Sequence, residues 1–257
     1  MQFIRDPNNA DRIGFRMGDK GTHTSRTIML DDLSLTLAAA GPDSRRADFA
    51  DEIIEHNCLA KTTVATRRLS NQRLGELYAL DPGVPLFRVL RHLWRVDEPG
   101  RPLLAMLAAI GRDPLLAASA AAILPLAEGD PLDRDQLARV IRAQAGERLS
   151  DATAGKVARN VASSWEQSGH LQGRTFKKRR RVGATPHTMA FALYLGHAAG
   201  YRGQELLANP WVDVLDCSPT AARQLALEAK RIGLIDLRSA GDVLSIELGR
   251  LDPAGIR

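Results

Sequence analysis

Apolar and polar positions alternate at the helical period along most of this chain. The spacing predicts a helix over about 27–40 that stops at Gly41-Pro42 and a second over about 44–56 with Phe49, Ile53 and Ile54 inward. A third runs over about 62–80, ahead of the Asp81-Pro82-Gly83 turn. Pro85 to Val96 turns Leu86, Leu90, Leu93 and Trp94 to one side. Two short, almost wholly apolar helices follow between Leu103 and Ala127, and Asp113-Pro114 caps the second. Helices apolar all round belong at the centre of a bundle. Before this series, Met1 to Ser25 is polar and aperiodic, which predicts a flexible arm over residues 1–26. Glu128-Gly-Asp-Pro131 reads as the boundary between a helical bundle (27–128) and a second region (132–257).

That second region opens with a helix whose start Asp133 and Gln136 could close as a capping box and which Ala145-Gly146 ends. From Ser150 a longer helix carries Ala154, Val157, Ala158, Val161 and Trp165 in one stripe, and Gly169 stops it. Trp165, at the end of the stripe, reads as structural. Lys156, Asn160, Ser163 and Gln167 lie opposite, with Thr153 and Arg159 at the edge. A basic ribbon follows: Arg174, Lys177, Lys178, Arg179, Arg180 and Arg181, with Gly173 and Gly183 as turn residues. Helix, glycine and basic ribbon is the outline of a winged helix-turn-helix. Thr185-Pro186 then starts a helix with Met189, Leu193 and Leu195 inward. Ser218-Pro219 starts another, whose stripe reads Ala222, Leu225, Ala229, Ile232, and Gly233 ends it. Leu234 to Arg238 and Val243 to Leu248 flank a turn and alternate as strands do. Helix, glycine and hairpin thus occur twice. The fold expected is mostly α, with a helical bundle followed by winged-helix-type units bearing small β-hairpins.

Charge sharpens this picture. Between Gln167 and Gln204 there are seven Lys or Arg and no Asp or Glu, while the whole chain carries +5, so the remainder sums to 5 − 7 = −2. Excess positive charge confined to one segment is the footprint of a nucleic-acid binder. The residues expected to touch DNA are Lys156, Arg159, Asn160, Ser163, Arg174, Lys177, Lys178, Arg179, Arg180 and Arg181. Lys61, Arg67, Arg68 and Arg73 on the third helix could mark another nucleic-acid helix, but they scatter around it and read first as solvated charge. On the C-terminal helix, Arg223 and Gln224 could read bases, but Leu227 is centred on the same face, which points to packing or a partner.

Other chemistry leaves little trace. The histidines show no metal spacing; His56 beside Cys58 reads as a packed histidine, and Cys58 and Cys217 as reduced, buried thiols. No phosphate-binding glycine loop and no nucleophile elbow occurs, so no catalytic residue, metal or cofactor is assigned. The apolar run from Leu103 to Ala127 is broken by Arg112-Asp113-Pro114, too short on either side to cross a bilayer, and no signal-peptide core precedes it. The expectation is a cytoplasmic protein with no membrane partner.

The run Phe49-Ala-Asp-Glu-Ile-Ile-Glu-His-Asn-Cys-Leu-Ala-Lys-Thr-Thr-Val-Ala-Thr-Arg-Arg-Leu69, the Asn71–Leu77 segment and Gly111-Arg-Asp-Pro-Leu-Leu116 resemble the BrxA-like family of BREX phage-exclusion systems. Ser150-Asp-Ala-Thr and Gln167-Ser-Gly-His-Leu extend the likeness over most of residues 27–200. The resemblance implies a small, non-catalytic, mostly helical protein with a NusB-like bundle and a winged-helix portion. It implies duplex DNA as a partner, with other subunits of a defence complex beside it; members of the family are encoded beside the methyltransferase and ATPase subunits of the system. The chain is longer than such proteins at its N-terminal arm and C-terminal hairpin. Rival readings are a winged-helix transcriptional regulator, an assembly adaptor and an RNA-binding protein.

Overall fold

The computed structural model describes residues 1–18, 21–240 and 243–255. Among these residues it holds twelve α-helices and four strands, the strands paired as two antiparallel hairpins. The N-terminal part comprises α1 (Pro7–Ile13), α2 (Leu30–Ala39), α3 (Arg46–Ile54), α4 (Val64–Tyr78), α5 (Pro85–Val96), α6 (Arg101–Arg112) and α7 (Pro114–Ile123). Every residue of α6 from Leu103 to Arg112 is buried, which is where a helix apolar all round has to lie. It packs against α4, α5, α7, α9 and α10, so one apolar cluster runs from Phe3 to Leu251. No single helix among the described residues is long and apolar enough to cross a membrane; α6 and α7 meet at 118°.

Beyond α7 come α8 (Arg134–Ala145), α9 (Asp151–Gln167), β1 (Leu171–Gln172) and β2 (Lys178–Arg179). Asp133 and Ser150 are the caps, although Gln136 does not return a hydrogen bond to complete the expected capping box. Asp133 accepts from the amides of Asp135 and Gln136, and Ser150 accepts from Thr153. Gly169 takes φ +89°, the left-handed conformation that ends α9. The stripe from Ala154 to Trp165 is buried, and the Trp165 indole donates to Ser119 Oγ at 2.8 Å.

The stretch 128–131, expected as a linker, is instead a third strand-like edge. Gly129 N donates to Arg179 O, Arg179 N to Asp130 O, and Leu132 N to Lys177 O, each at 2.9 Å. Pro131, which has no amide hydrogen to give, bridges to Lys178 on that edge. With α7 packed on α8 and α9, the order becomes helix, strand, helix, helix, hairpin, the order of a winged helix. The unit therefore begins at α7, inside the part assigned to the bundle, and the expected boundary falls within it. Local turn residues mark an edge strand as readily as a linker.

The same order recurs in α10 (Pro186–Ala198), a 3-10 turn at Gly203–Leu207 lying against the last strand, α11 (Pro210–Asp213), α12 (Pro219–Arg231), β3 (Asp236–Ala240) and β4 (Val243–Glu247). In α12 the buried stripe is Ala222, Ala226 and Ala229, with Leu225 half-buried. Ile232, expected inward, is 46% exposed, because the helix has ended at Arg231 and the chain turns away at Gly233.

The N-terminal arm also departs from expectation. Phe3 and Phe15 are buried, with ring centroids 5.0 Å and 5.2 Å from that of Trp211. The Trp211 indole donates to Phe3 O, and the Arg5 and Asp6 amides donate to Ala199 O. Aperiodic sequence looked mobile, but two aromatic anchors hold it in a tertiary groove.

Candidate nucleic-acid interface

The exposed side of the first winged unit is built from α8, α9 and the β1–β2 hairpin. Arg134 of α8, Gly155, Arg159 and Ser163 of α9, and Arg174 of the hairpin loop line one open cleft of about 310 Å³. Asp135 is its one carboxylate. Helix α9 enters this surface by its N-terminal half, where Lys156 and Arg159 stand exposed. Asp151 in its first turn is paired with Arg142 of α8, which ties the two helices at their junction.

The ten residues expected to contact DNA divide by environment. The side chains of Lys156, Arg159, Arg174, Lys178 and Arg180 are exposed and make no hydrogen bond or ion pair within the described structure. Arg181 is 45% exposed but donates to Asp216 at 2.9 Å. Ser163 faces the cleft. The other three correct the expectation. Lys177 is buried, pairs with Glu166 and donates to Gly173 O at 3.1 Å. Arg179 is fully buried, paired with Asp216, and donates to His170 O at 3.3 Å. A strand places successive side chains on opposite faces, so only alternate cations of the ribbon can point outward. Asn160, the third, spends its amide on His23 O at 2.9 Å.

Asn160 is one of three α9 side chains that hold the N-terminal segment. Ser164 accepts from Ile28 N at 2.9 Å, while Gln167 accepts from Leu30 N and donates to Thr27 Oγ1. The polar face of α9 is therefore split: its C-terminal half is covered, and its N-terminal half is open. Within the covered part, His23 Nδ1 lies 2.7 Å from Asp113 Oδ2 and its Nε2 2.8 Å from Ser164 Oγ. Those distances are those of a Ser-His-Asp relay. All three side chains are buried, and the Ser164 hydroxyl is occupied by Ile28 N and Asn160 O, so the trio acts as a fastening. Burial opposes the charge on Asp113, but His23 and the amides of His23 and Leu116 outweigh it and hold the carboxyl below its usual range.

The hairpin base is clamped to the second unit. His170 is buried, its Nε2 2.7 Å from Val214 O and its Nδ1 2.8 Å from Ser168 Oγ. A carbonyl can only accept, so Nε2 carries a hydrogen, while the Ser168 hydroxyl sits between His170 Nδ1 and Trp165 O. Burial lowers its pKa to about 4. Arg179 with Asp216 is the second half of this clamp.

Other titratable groups lie apart. His56 is exposed and 3.3 Å from Glu52, so it is not the packed histidine expected. Cys58 and Cys217 are free and half-buried. Lys61 pairs with Asp32, Arg73 with Glu76, and Arg67 donates to Ile54 O, which leaves Arg68 as the solvated member of that set. Among the described residues no three His, Cys, Asp or Glu side chains converge as a metal site.

Sequence reasoning passed over Arg134 and Phe176. Arg134 lies outside the basic segment, at the start of α8, and joins the cleft through the packing of α8 on α9. Phe176, 85% exposed, was legible in principle, since it shares the outward phase of Lys178 and Arg180. Compared with protein-family models and with curated proteins, the chain matches none.

Proposed function

We propose that this chain is a non-catalytic duplex-DNA-binding component of a BREX-type phage-defence system in the bacterial cytoplasm. One observation carries the DNA reading: five unpaired cations, Lys156, Arg159, Arg174, Lys178 and Arg180, face outward on a single helix-turn-helix and hairpin, while their neighbours Lys177 and Arg179 are neutralised inside. In the geometry usual for such units, the second helix lies in the major groove with its N-terminal residues toward the bases. Here that half of α9 is the open half. Arg174, Lys178 and Arg180 on the hairpin then reach phosphates beside the groove, where cations fix register without reading sequence. The defence role and its partner subunits rest on the sequence resemblance.

The exposed face of α12 favours a different task for the second unit. Leu227 is 47% exposed in the middle of that face, beside Arg223 and Gln224. We assign it to contacts within the chain or with a protein partner.

The test is a titration with duplex DNA, single-stranded DNA and RNA at two salt concentrations. Five phosphate contacts give a slope of log K against log salt of about −4.5 on duplex, and a shallower one on single strands. Tighter binding to RNA, or affinity indifferent to salt, rejects the reading.

A further inference from the structure

We propose that Phe176 is a wedge that enters the minor groove of duplex DNA and unstacks a base step, an inference that rests on the duplex-DNA reading above. Phe176 is 85% exposed, more than any other large apolar side chain among the described residues. It is not on a loose loop. Gly173 takes φ +113°, and a Cβ there would meet Phe176 O at 2.4 Å, so the turn closes only with glycine. On the next residue, Lys177 O accepts from Leu132 N at 2.9 Å, and its ammonium is held by Glu166 and Gly173 O. A benzyl group is thus held out in water from a backbone fastened on both sides. Isolated surface apolar groups are common and by themselves call for no partner; what marks this one is its place at the head of a row of unpaired cations.

The neighbours say which surface. Phe176, Lys178 and Arg180 are exposed and alternate with the buried Lys177 and Arg179, so all three stand on the outer side of the hairpin arm that contains β2. The ring leads and two unpaired cations follow in line. A flat apolar face bordered by regularly spaced anions is the complement of that row, and stacked bases between phosphates provide it. Beside the major groove proposed for α9, we assign the ring to the minor groove. That groove is about 6 Å wide, narrow for a two-stranded ribbon but open to one ring. Apolar side chains that enter there part a base step and kink the duplex.

The experiment uses the full chain and a short duplex carrying 2-aminopurine at successive positions and a dye pair at its ends. The wild-type protein should brighten 2-aminopurine at one step and shorten the distance between the dyes. Phe176→Ala should bind roughly tenfold more weakly, the scale of one lost base–aromatic contact. Its salt slope should be unchanged, and the brightening and the bend should vanish. Phe176→Leu should keep part of both, since leucine also wedges. Circular dichroism should match across the three, because the ring contributes little buried surface. Wild-type brightening and affinity in Phe176→Ala overturn the wedge, as does a loss confined to single-stranded DNA, which would mean stacking on an unpaired base. In both cases salt-dependent duplex binding survives, so only the wedge falls. A wild-type chain that binds no duplex overturns both readings together.

Discussion

The two winged units, α7 through β2 and α10 through β4, share an order of elements and dispose of charge in opposite ways. In the first, the hairpin's inward cations are neutralised by Glu166 and Asp216, and its outward cations are left bare. In the second, Asp236 and Glu247 sit opposite each other at the base of the hairpin, a Lys230 ammonium is spent on Leu237 O, and Arg250 pairs with Asp236. With Asp236 paired to Arg250, the second hairpin base keeps one carboxylate, Glu247, and one exposed cation, Arg238, so it lacks the row of bare cations that would attract phosphate. The second unit also lends the first its clamp, since Val214 and Asp216 follow α11. One scaffold thus serves once as a charged surface and once as the brace behind it.

Erasing the charge difference should have the largest effect. Replacing Lys156, Arg159, Arg174, Lys178 and Arg180 by Gln should flatten the salt slope by about 4–5 units and weaken duplex binding by several orders of magnitude at low salt. Filter binding across a salt series checks it. An unchanged slope in a folded variant would make the two units equivalent and the cations ordinary surface.

Breaking the clamp comes next. Arg179→Ala should cost about 3–5 kcal/mol, because Asp216 would be left charged and buried without its main partner. Urea denaturation reads the loss. The double variant Arg179→Met, Asp216→Leu should recover much of it, since a buried pair exchanged for apolar groups of similar size is often neutral.

A smaller effect, about 3 kcal/mol, comes from acid acting on the other half of the clamp. His170 is neutral in the folded chain with a pKa near 4, against an ordinary 6.5 when unfolded. Its contribution is therefore complete above about pH 6.5 and falls as pH drops toward 4, since only the unfolded chain takes up the proton easily. The urea midpoint should decline over that window, and the imidazole signal of His170 should titrate only at its lower end.

The smallest effect sharpens the comparison from the second unit. Arg223→Ala with Gln224→Ala should change duplex affinity by less than about 1 kcal/mol, below the roughly 1–3 kcal/mol of a good bidentate base contact. A larger loss on particular DNA sequences would make α12 the reader.

Much of this was legible from the chain alone. Helices α2 to α10 and α12 lie where the 3.6-residue pattern puts them, within a few residues at their ends, because caps, prolines and stop glycines act on their own turn. Trp165 was legible as a core residue from its place in a stripe. The confinement of positive charge to one segment was legible too, and with it the general position of the candidate surface.

Three things waited for the tertiary structure. Phe3 and Phe15 lie in an aperiodic segment, and only the distant ring of Trp211 makes them anchors. The stretch 128–131 is an edge strand only because β2, nearly 50 residues later, offers it hydrogen bonds. The basic ribbon reads as a row of equal cations until Glu166 and Asp216 are brought beneath it, one from the preceding helix and one from the second unit. Sequence periodicity determined which segments are helical, because that is a matter of neighbours within a turn. Which charges stay free to meet a ligand was decided by folding, because a counter-ion can come from anywhere in the chain.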